Sequence, residues 1–182
     1  MLRTKDILDE KDPRVRAKNT DVDFPLNDEY KDIIPEMLKH LRYSQIEKLS
    51  KKYDLRPGMG LAAPQLGINK NFFVVCYEVK DGVFDDYILI NPKVISYSEE
   101  MIYAGEGEGC LSVNREVEGI VPRHARITVE AYDLDGNKRK YRVREDLAIA
   151  FQHELDHLNG ILFYDHIDPK NPYKDQNKYR AI

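Results

Sequence analysis

His153-Glu154-Leu155-Asp156-His157 is the segment whose residue types and spacing point most directly to a chemistry. On a helix, positions i and i+4 stand one turn apart on the same face, with Cβ atoms roughly 5–6 Å apart. Two imidazoles at that spacing converge on one metal ion, and the glutamate between them swings beside the open coordination position. Composition alone would supply this pattern about 0.01 times in a chain of this length, so chance is a poor explanation. The alternative is a pair of solvated histidines on an amphipathic helix. Against it, Ile149 and Ala150 continue the same stripe, and polar nitrogens on a core-facing stripe need partners.

A catalytic site of this kind needs a third protein ligand and leaves one position for water. One zincin pattern places a third His six residues past the second, but position 163 is Phe. His166 lies nine residues on, past the Gly160 break, and its spacing leaves it open as a ligand. A better candidate is Cys110 in Glu106-Gly-Glu-Gly-Cys-Leu-Ser112. Glycines at 107 and 109 permit a tight turn or a close approach, and a thiol presented beside a divalent cation becomes a strong thiolate ligand. Cys76, inside Phe-Phe-Val-Val-Cys-Tyr, reads instead as a small buried hydrophobe. A third segment, Gly58-Met-Gly-Leu-Ala-Ala-Pro-Gln65, superficially matches a dinucleotide fingerprint. It follows no strand, however, and Pro64 interrupts any helix, so that reading is rejected. What remains is a loop whose exposed backbone can bind an extended ligand, with Gln65 as a side-chain donor.

The elements that must position these residues are read from periodicity. Phe72–Val79, Tyr87–Ile95 and Ile127–Tyr132 are rich in β-branched and aromatic residues, and Asp135-Gly136 predicts a hairpin into Lys138–Val143. A helix is predicted from about Leu147 to Leu158, with Asp146 as N-cap and Gly160 at C′. An earlier helical pattern runs from Asn27 to about Tyr53 on Tyr30, Ile33, Ile34, Met37, Leu38 and Leu41. Pro35 within it predicts a kink there, or a helix that starts near it. The first 25 residues read as an irregular arm. Residues 168–182 read as a polar tail, and a solvated, disordered end is favoured over docking to a ribosomal surface. The expected fold is α+β: two helices and several antiparallel strands, packed around the central helix that carries the His-Glu-x-x-His motif, in one catalytic domain spanning 1–182.

Composition excludes several classes. The 182 residues carry 28 Lys+Arg against 32 Asp+Glu, a formal charge of −4, which argues against a dedicated nucleic-acid binder. The longest apolar run, Phe72 to Tyr77, is far short of the roughly 20 residues that span a bilayer. The opening residues lack an apolar h-region, so the expectation is an unexported, cytoplasmic chain with reduced cysteines.

Taken together and in this order, Gly58–Gln65, Glu108–Ser112 and Gln152–Leu158 resemble the three motifs of the peptide deformylases. The resemblance extends to Asp12-Pro13 with Arg16, Asn91-Pro92 and Val121-Pro122-Arg123, and covers about residues 7–168. The stretch around Asp28–Arg56 is similar to the longer form common in Gram-positive bacteria. The resemblance implies hydrolytic removal of the N-formyl group from the initiator methionine of nascent polypeptides, with release of formate. It implies that Cys110, His153 and His157 hold the metal, usually Fe²⁺, with Zn²⁺, Ni²⁺ or Co²⁺ able to substitute. It further implies Glu154 as general base and acid, and Gln65 and the Leu111 amide as oxyanion donors. Gly60 would pair with the substrate backbone, Met59 and Ile149 would line the methionine pocket, and Glu108 with Arg123 would steady the cysteine loop. Two other readings are an endopeptidase of the His-Glu-x-x-His type and a non-enzymatic zinc module. The second would need a fourth protein ligand, for which His166 is the obvious candidate.

Overall fold

The computed structural model describes residues 1–182. Its core is a five-stranded antiparallel sheet in the order β1 (Gly60–Ala62), β2 (Phe72–Lys80), β3 (Val83–Tyr97), β6 (Arg126–Tyr132) and β7 (Lys138–Arg144). Between β3 and β6 in sequence lie two short strands, β4 (Met101–Tyr103) and β5 (Arg123–His124). They form a second sheet with β8 (Arg180–Ala181), in the order β5-β4-β8. Successive side chains of a strand point to opposite faces, and β2 is buried on both. Phe72, Val74 and Cys76 join one apolar cluster, while Phe73 and Val75 join another. That explains why the run Phe72–Tyr77 is unbroken in apolar residues rather than alternating.

One face is covered by helix α1 (Asp28–Gln45), whose Ile34, Met37, Leu38 and Leu41 enter the first cluster. Asn27 caps it by accepting from the Tyr30 N–H at 2.9 Å. The expected start near Pro35 is not found. The helix begins seven residues earlier and carries Pro35 within it, because the buried stripe on both sides of the proline outweighs its local cost. The single expected helical stretch also divides at Ile46 into α1 and α2 (Glu47–Tyr53), making three α-helices in all.

The opposite face is covered by α3 (Glu145–Leu158), which carries the two-histidine motif. Ala148, Phe151 and Leu158 pack into the second cluster, and Phe151 meets Phe73 edge-on at 5.7 Å and Tyr87 at 5.5 Å. On its far flank, Ile149 packs with Ile102 and Ala125 of the smaller-sheet region, so α3 is held between the two sheets. The expected N-cap is shifted. Arg144 occupies that position without a side-chain cap, and Asp146 lies inside the first turn. The Glu145 N–H donates instead to the Ala125 carbonyl at 3.0 Å, and Glu145 and Asp146 sit where the helix dipole favours acids. Gly160 is at C′ as expected, at φ 71°. Gly160 and Ile161 donate to His157 and Asp156 at 3.1 and 2.9 Å, which closes the helix in a Schellman motif.

The polar C-terminus is exposed to solvent but tied down by pairing at its end. β8 runs parallel to β4, the Ile182 N–H donates to the Tyr103 carbonyl at 3.0 Å, and Arg180 forks onto Glu145 at 2.8–2.9 Å and reaches Glu100. Backbone pairing is invisible to composition, which is why a charged stretch reads as a loose tail. Near the N-terminus, His40 of α1 is fully buried. Its Nδ1 meets the Leu2 carbonyl at 3.1 Å and its Nε2 has no partner.

Burial lowers the His40 pKa below the usual 6.5, opposed by the Leu2 contact. The folded state therefore binds fewer protons here than the unfolded state. Its contribution is complete above about pH 6.5 and is lost as pH falls toward the depressed folded value. Urea unfolding from pH 7 to pH 5 should show a steeper stability loss in the wild type than in His40→Asn. Parallel profiles would refute this account.

Candidate active site

Three segments bring the site residues together. One flank of α3 presents Ile149, His153, Glu154 and His157. The loop after β4 presents Glu108, Cys110 and Leu111, and the run into and beyond β1 presents Met59, Gly60 and Gln65. With the exception of His157, these residues line one cavity of about 520 Å³. The glycines at its wall are required by close approach. A Cβ on Gly60 would lie 2.7 Å from Cδ of Glu154, and one on Gly58 would lie 2.8 Å from a Leu111 methyl.

Cys110, His153 and His157 each offer one ligand atom, and all three atoms lie within 4.8 Å of one another. The Cys110 Sγ is 3.3 Å from His157 Nε2. The rings of His153 and His157 stand edge to face with centroids 5.0 Å apart. His153 Nδ1 bonds Glu108 Oε1 at 2.9 Å, which leaves its Nε2 for the cluster. Burial holds the His157 pKa well below its usual value, which favours the neutral imidazole, the form that ligates metals. One thiol and two imidazoles, convergent and largely buried, fit a divalent ion of borderline softness.

Glu154 is 3% exposed, and its Oε2 has no hydrogen-bond partner. Burial pushes its pKa up to about 7 against the pull of His153 and Arg123. An unpaired carboxyl in such surroundings is costly unless a ligand or a proton satisfies it. Gln65 is 1% exposed. Its Oε1 accepts from the Ala62 N–H at 2.9 Å, while its Nε2 donates to Ser112 Oγ at 3.1 Å and lies 3.7 Å from Cys110 Sγ. The amide is thereby oriented with its donor toward the cluster. The Leu111 N–H takes no backbone partner.

Behind the cluster lies a buried ionic network. Arg123, 3% exposed, donates from Nε and Nη2 to both oxygens of Glu108 at 2.9 Å. Burial alone would raise the Glu108 pKa, but hydrogen bonds from His153 and Arg123 bring it to about 2. The expected Glu108–Arg123 pairing is thus present.

Three neighbours were missed by sequence reasoning. Asp156, inside the motif, takes a 2.6 Å bond from Arg123 Nη1. The Phe163 ring stacks on His153 at 6.0 Å. Arg56 donates to the carbonyls of Cys110 and Val113 and to Asn114, clamping the cysteine loop. The one available signal was Asp156 itself, an acid one turn from His153 with no stated partner. His166, left open as a ligand from its spacing, stands outside the cluster and bonds Asp156 at 2.7 Å. Cys76 is buried in β2, and burial pushes its thiol up to about 12, in line with a structural role.

Known proteins share this arrangement of sequence and fold. The family described as polypeptide deformylase matches residues 4–173. The peptide deformylase of Macrococcus caseolyticus is 49% identical over 183 residues, covering 100% of both chains. Peptide deformylase 2 of Bacillus anthracis is 47% identical over 173 residues, covering 95% of this chain and 94% of its own. The crystal structure of a probable peptide deformylase from Synechococcus phage S-SSM7 superposes with a TM-score of 0.73 at 34% identity, covering 88% of this chain and 98% of that one. With a match spanning nearly the whole chain and relatives near half-identical along their full length, this chain belongs to the polypeptide deformylase family.

Proposed function

We propose that this deformylase, which removes the N-formyl group from nascent polypeptides, does so with Glu154 as general base and acid. In this reading Gln65 and the Leu111 amide are the oxyanion donors, and Cys110, His153 and His157 hold the metal. The observation that carries it is the Glu154 carboxyl, buried and unpartnered beside three convergent ligand atoms. When bound there, a divalent ion supplies Lewis acidity that makes water a nucleophile near neutral pH.

Glu154 takes the proton as the water oxygen bonds to the formyl carbon, and returns it to the departing amine nitrogen as the C–N bond breaks. The products are formate and a free amino terminus. The oxyanion that forms between these steps accepts from Gln65 Nε2 and the Leu111 N–H. β1 is an edge strand of the sheet, so an extended substrate can pair with the backbone at Gly60. Met59 and Ile149, which line the cavity, then receive the methionine side chain. Ferrous ion is the cellular metal in this reading, with Zn²⁺, Ni²⁺ or Co²⁺ as substitutes. Cytoplasmic residence follows from the substrate, and no helix is long and apolar enough to cross a membrane. Residues 1–182 act as one catalytic domain. The paired C-terminus supports a structural task for residues 168–182 in place of ribosome docking.

Formate release from a formyl-Met tripeptide by anaerobically purified protein tests the whole reading. Rapid release that a chelator abolishes is expected, and none from metal-loaded protein would overturn it. Gln65→Ala should retain the metal and lose about 10²–10³ in turnover, the usual cost of one oxyanion donor. Unchanged kcat would remove Gln65 from that role.

A further inference from the structure

We infer that His166 is a positioning residue for the metal centre, acting on His153 through Asp156, Arg123 and Glu108. The inference rests on the proposed Cys110–His153–His157 ligand set. His166 Nε2 bonds Asp156 Oδ2 at 2.7 Å, and the same oxygen accepts from Arg123 Nη1 at 2.6 Å. Arg123 forks onto Glu108 at 2.9 Å on each arm, and Glu108 Oε1 accepts from His153 Nδ1 at 2.9 Å. The chain of contacts is continuous from a side chain 36% exposed to a ligand side chain 11% exposed.

Two features separate this from an incidental surface pair. First, the support behind the ligands is lopsided: His153 Nδ1 bonds Glu108 Oε1, whereas the buried His157 Nδ1 has no protein partner. Second, His166 shares a built element with another contact to the same ring. It ends the short turn Phe163–His166, whose Phe163 stacks on His153 at an interplanar angle of 19°. That turn is fastened from the N-terminal arm by Arg16, which bonds Asp165 at 2.7 and 3.1 Å and the Gly160 carbonyl at 3.2 Å. The buried Arg123 serves two carboxylates at once. Without His166, Asp156 Oδ2 keeps Arg123 as its only side-chain partner, and the fork that orients Glu108 and His153 loosens with it. Groups that orient a ligand from behind tune metal retention as well as geometry.

The test compares full-length wild type, His166→Phe, which keeps a ring without a donor, and His166→Gln, which keeps a donor. Each is loaded with Co²⁺, and loss of the thiolate-to-cobalt absorption is followed under excess EDTA, with melting of the metal-free proteins as control. His166→Phe should release cobalt about three- to tenfold faster, less than the roughly 10–100-fold expected for a group touching the ligand itself. His166→Gln should restore the wild-type rate, and the metal-free proteins should melt together. Equal release by wild type and His166→Phe, or equally fast release by both variants, would overturn the inference and leave the ligand set standing. A wild type that takes up cobalt without a thiolate band would overturn the ligand set, and the inference with it.

Discussion

Glu154→Gln should abolish nearly all deformylation while leaving metal content and fold intact. Positioned acid–base groups contribute about 10²–10⁴ in rate, and Glu154 would be asked to move the same proton twice, off water and onto the amine. Glutamine matches the shape, so the tight contact with Gly60 survives, but it cannot accept that proton. The substitution also removes an ionisable group that burial disfavours, with its pKa already pushed up to about 7. Stability should therefore hold or rise even as kcat falls. That opposite movement is the diagnostic. Damage to the core would lower both, whereas loss of a costly buried carboxyl kept for chemistry lowers only the rate. Single-turnover formate release alongside thermal melting checks it, and a variant with wild-type turnover would end the general-base assignment.

The chemistry was more legible in the sequence than the scaffold, and the reason is physical. The i, i+4 spacing of His153 and His157 is a local property of one helix, and strands β2, β6 and β7 are long enough for their β-branched and aromatic runs to register. β4, β5 and β8 hold two or three residues each and exist because tertiary pairing brings them together, so no window of sequence announces them. The polar stretch ending in Arg180–Ala181 was misread for that reason: its order lies in backbone pairing to β4, which polar side chains do not signal. Pro35 misled in the opposite direction, since a strong local breaker was overruled by an apolar stripe running past it. At the site, residue types were legible and the resemblance supplied the Glu108–Arg123 pair, but the other partnerships were not legible. Glu108 and Asp156 are both acids near Arg123, yet only the fold reveals that one guanidinium serves both. His166, which spacing left open as a ligand, instead bonds Asp156 outside the cluster.

Cys110→Ala should lose the metal itself, which separates it from every substitution that spares the ligands. In the proposed ligand set the Cys110 thiolate is one of three protein donors, and removing it leaves two imidazoles that share a single helix face. Groups merely orienting a ligand are worth about 10–100-fold in affinity, so deletion of a ligand should exceed that and leave the purified variant substoichiometric. Cys110 lies in a small apolar cluster with Val113, Val121 and Phe163, so the alanine variant retains a compatible side chain and the loop keeps its Arg56 clamp. Folding is therefore expected without the metal. The thermodynamic readout is linkage: a ligand that binds only the folded state stabilises it by about 2.7 kcal/mol at 100 times its Kd. Wild-type protein stripped of metal should regain melting temperature on reloading, and Cys110→Ala should not respond at the same metal concentration. A variant that binds one equivalent and shows the wild-type shift would remove Cys110 from the ligand set, and the two histidines would then need a third partner that the fold does not bring within reach.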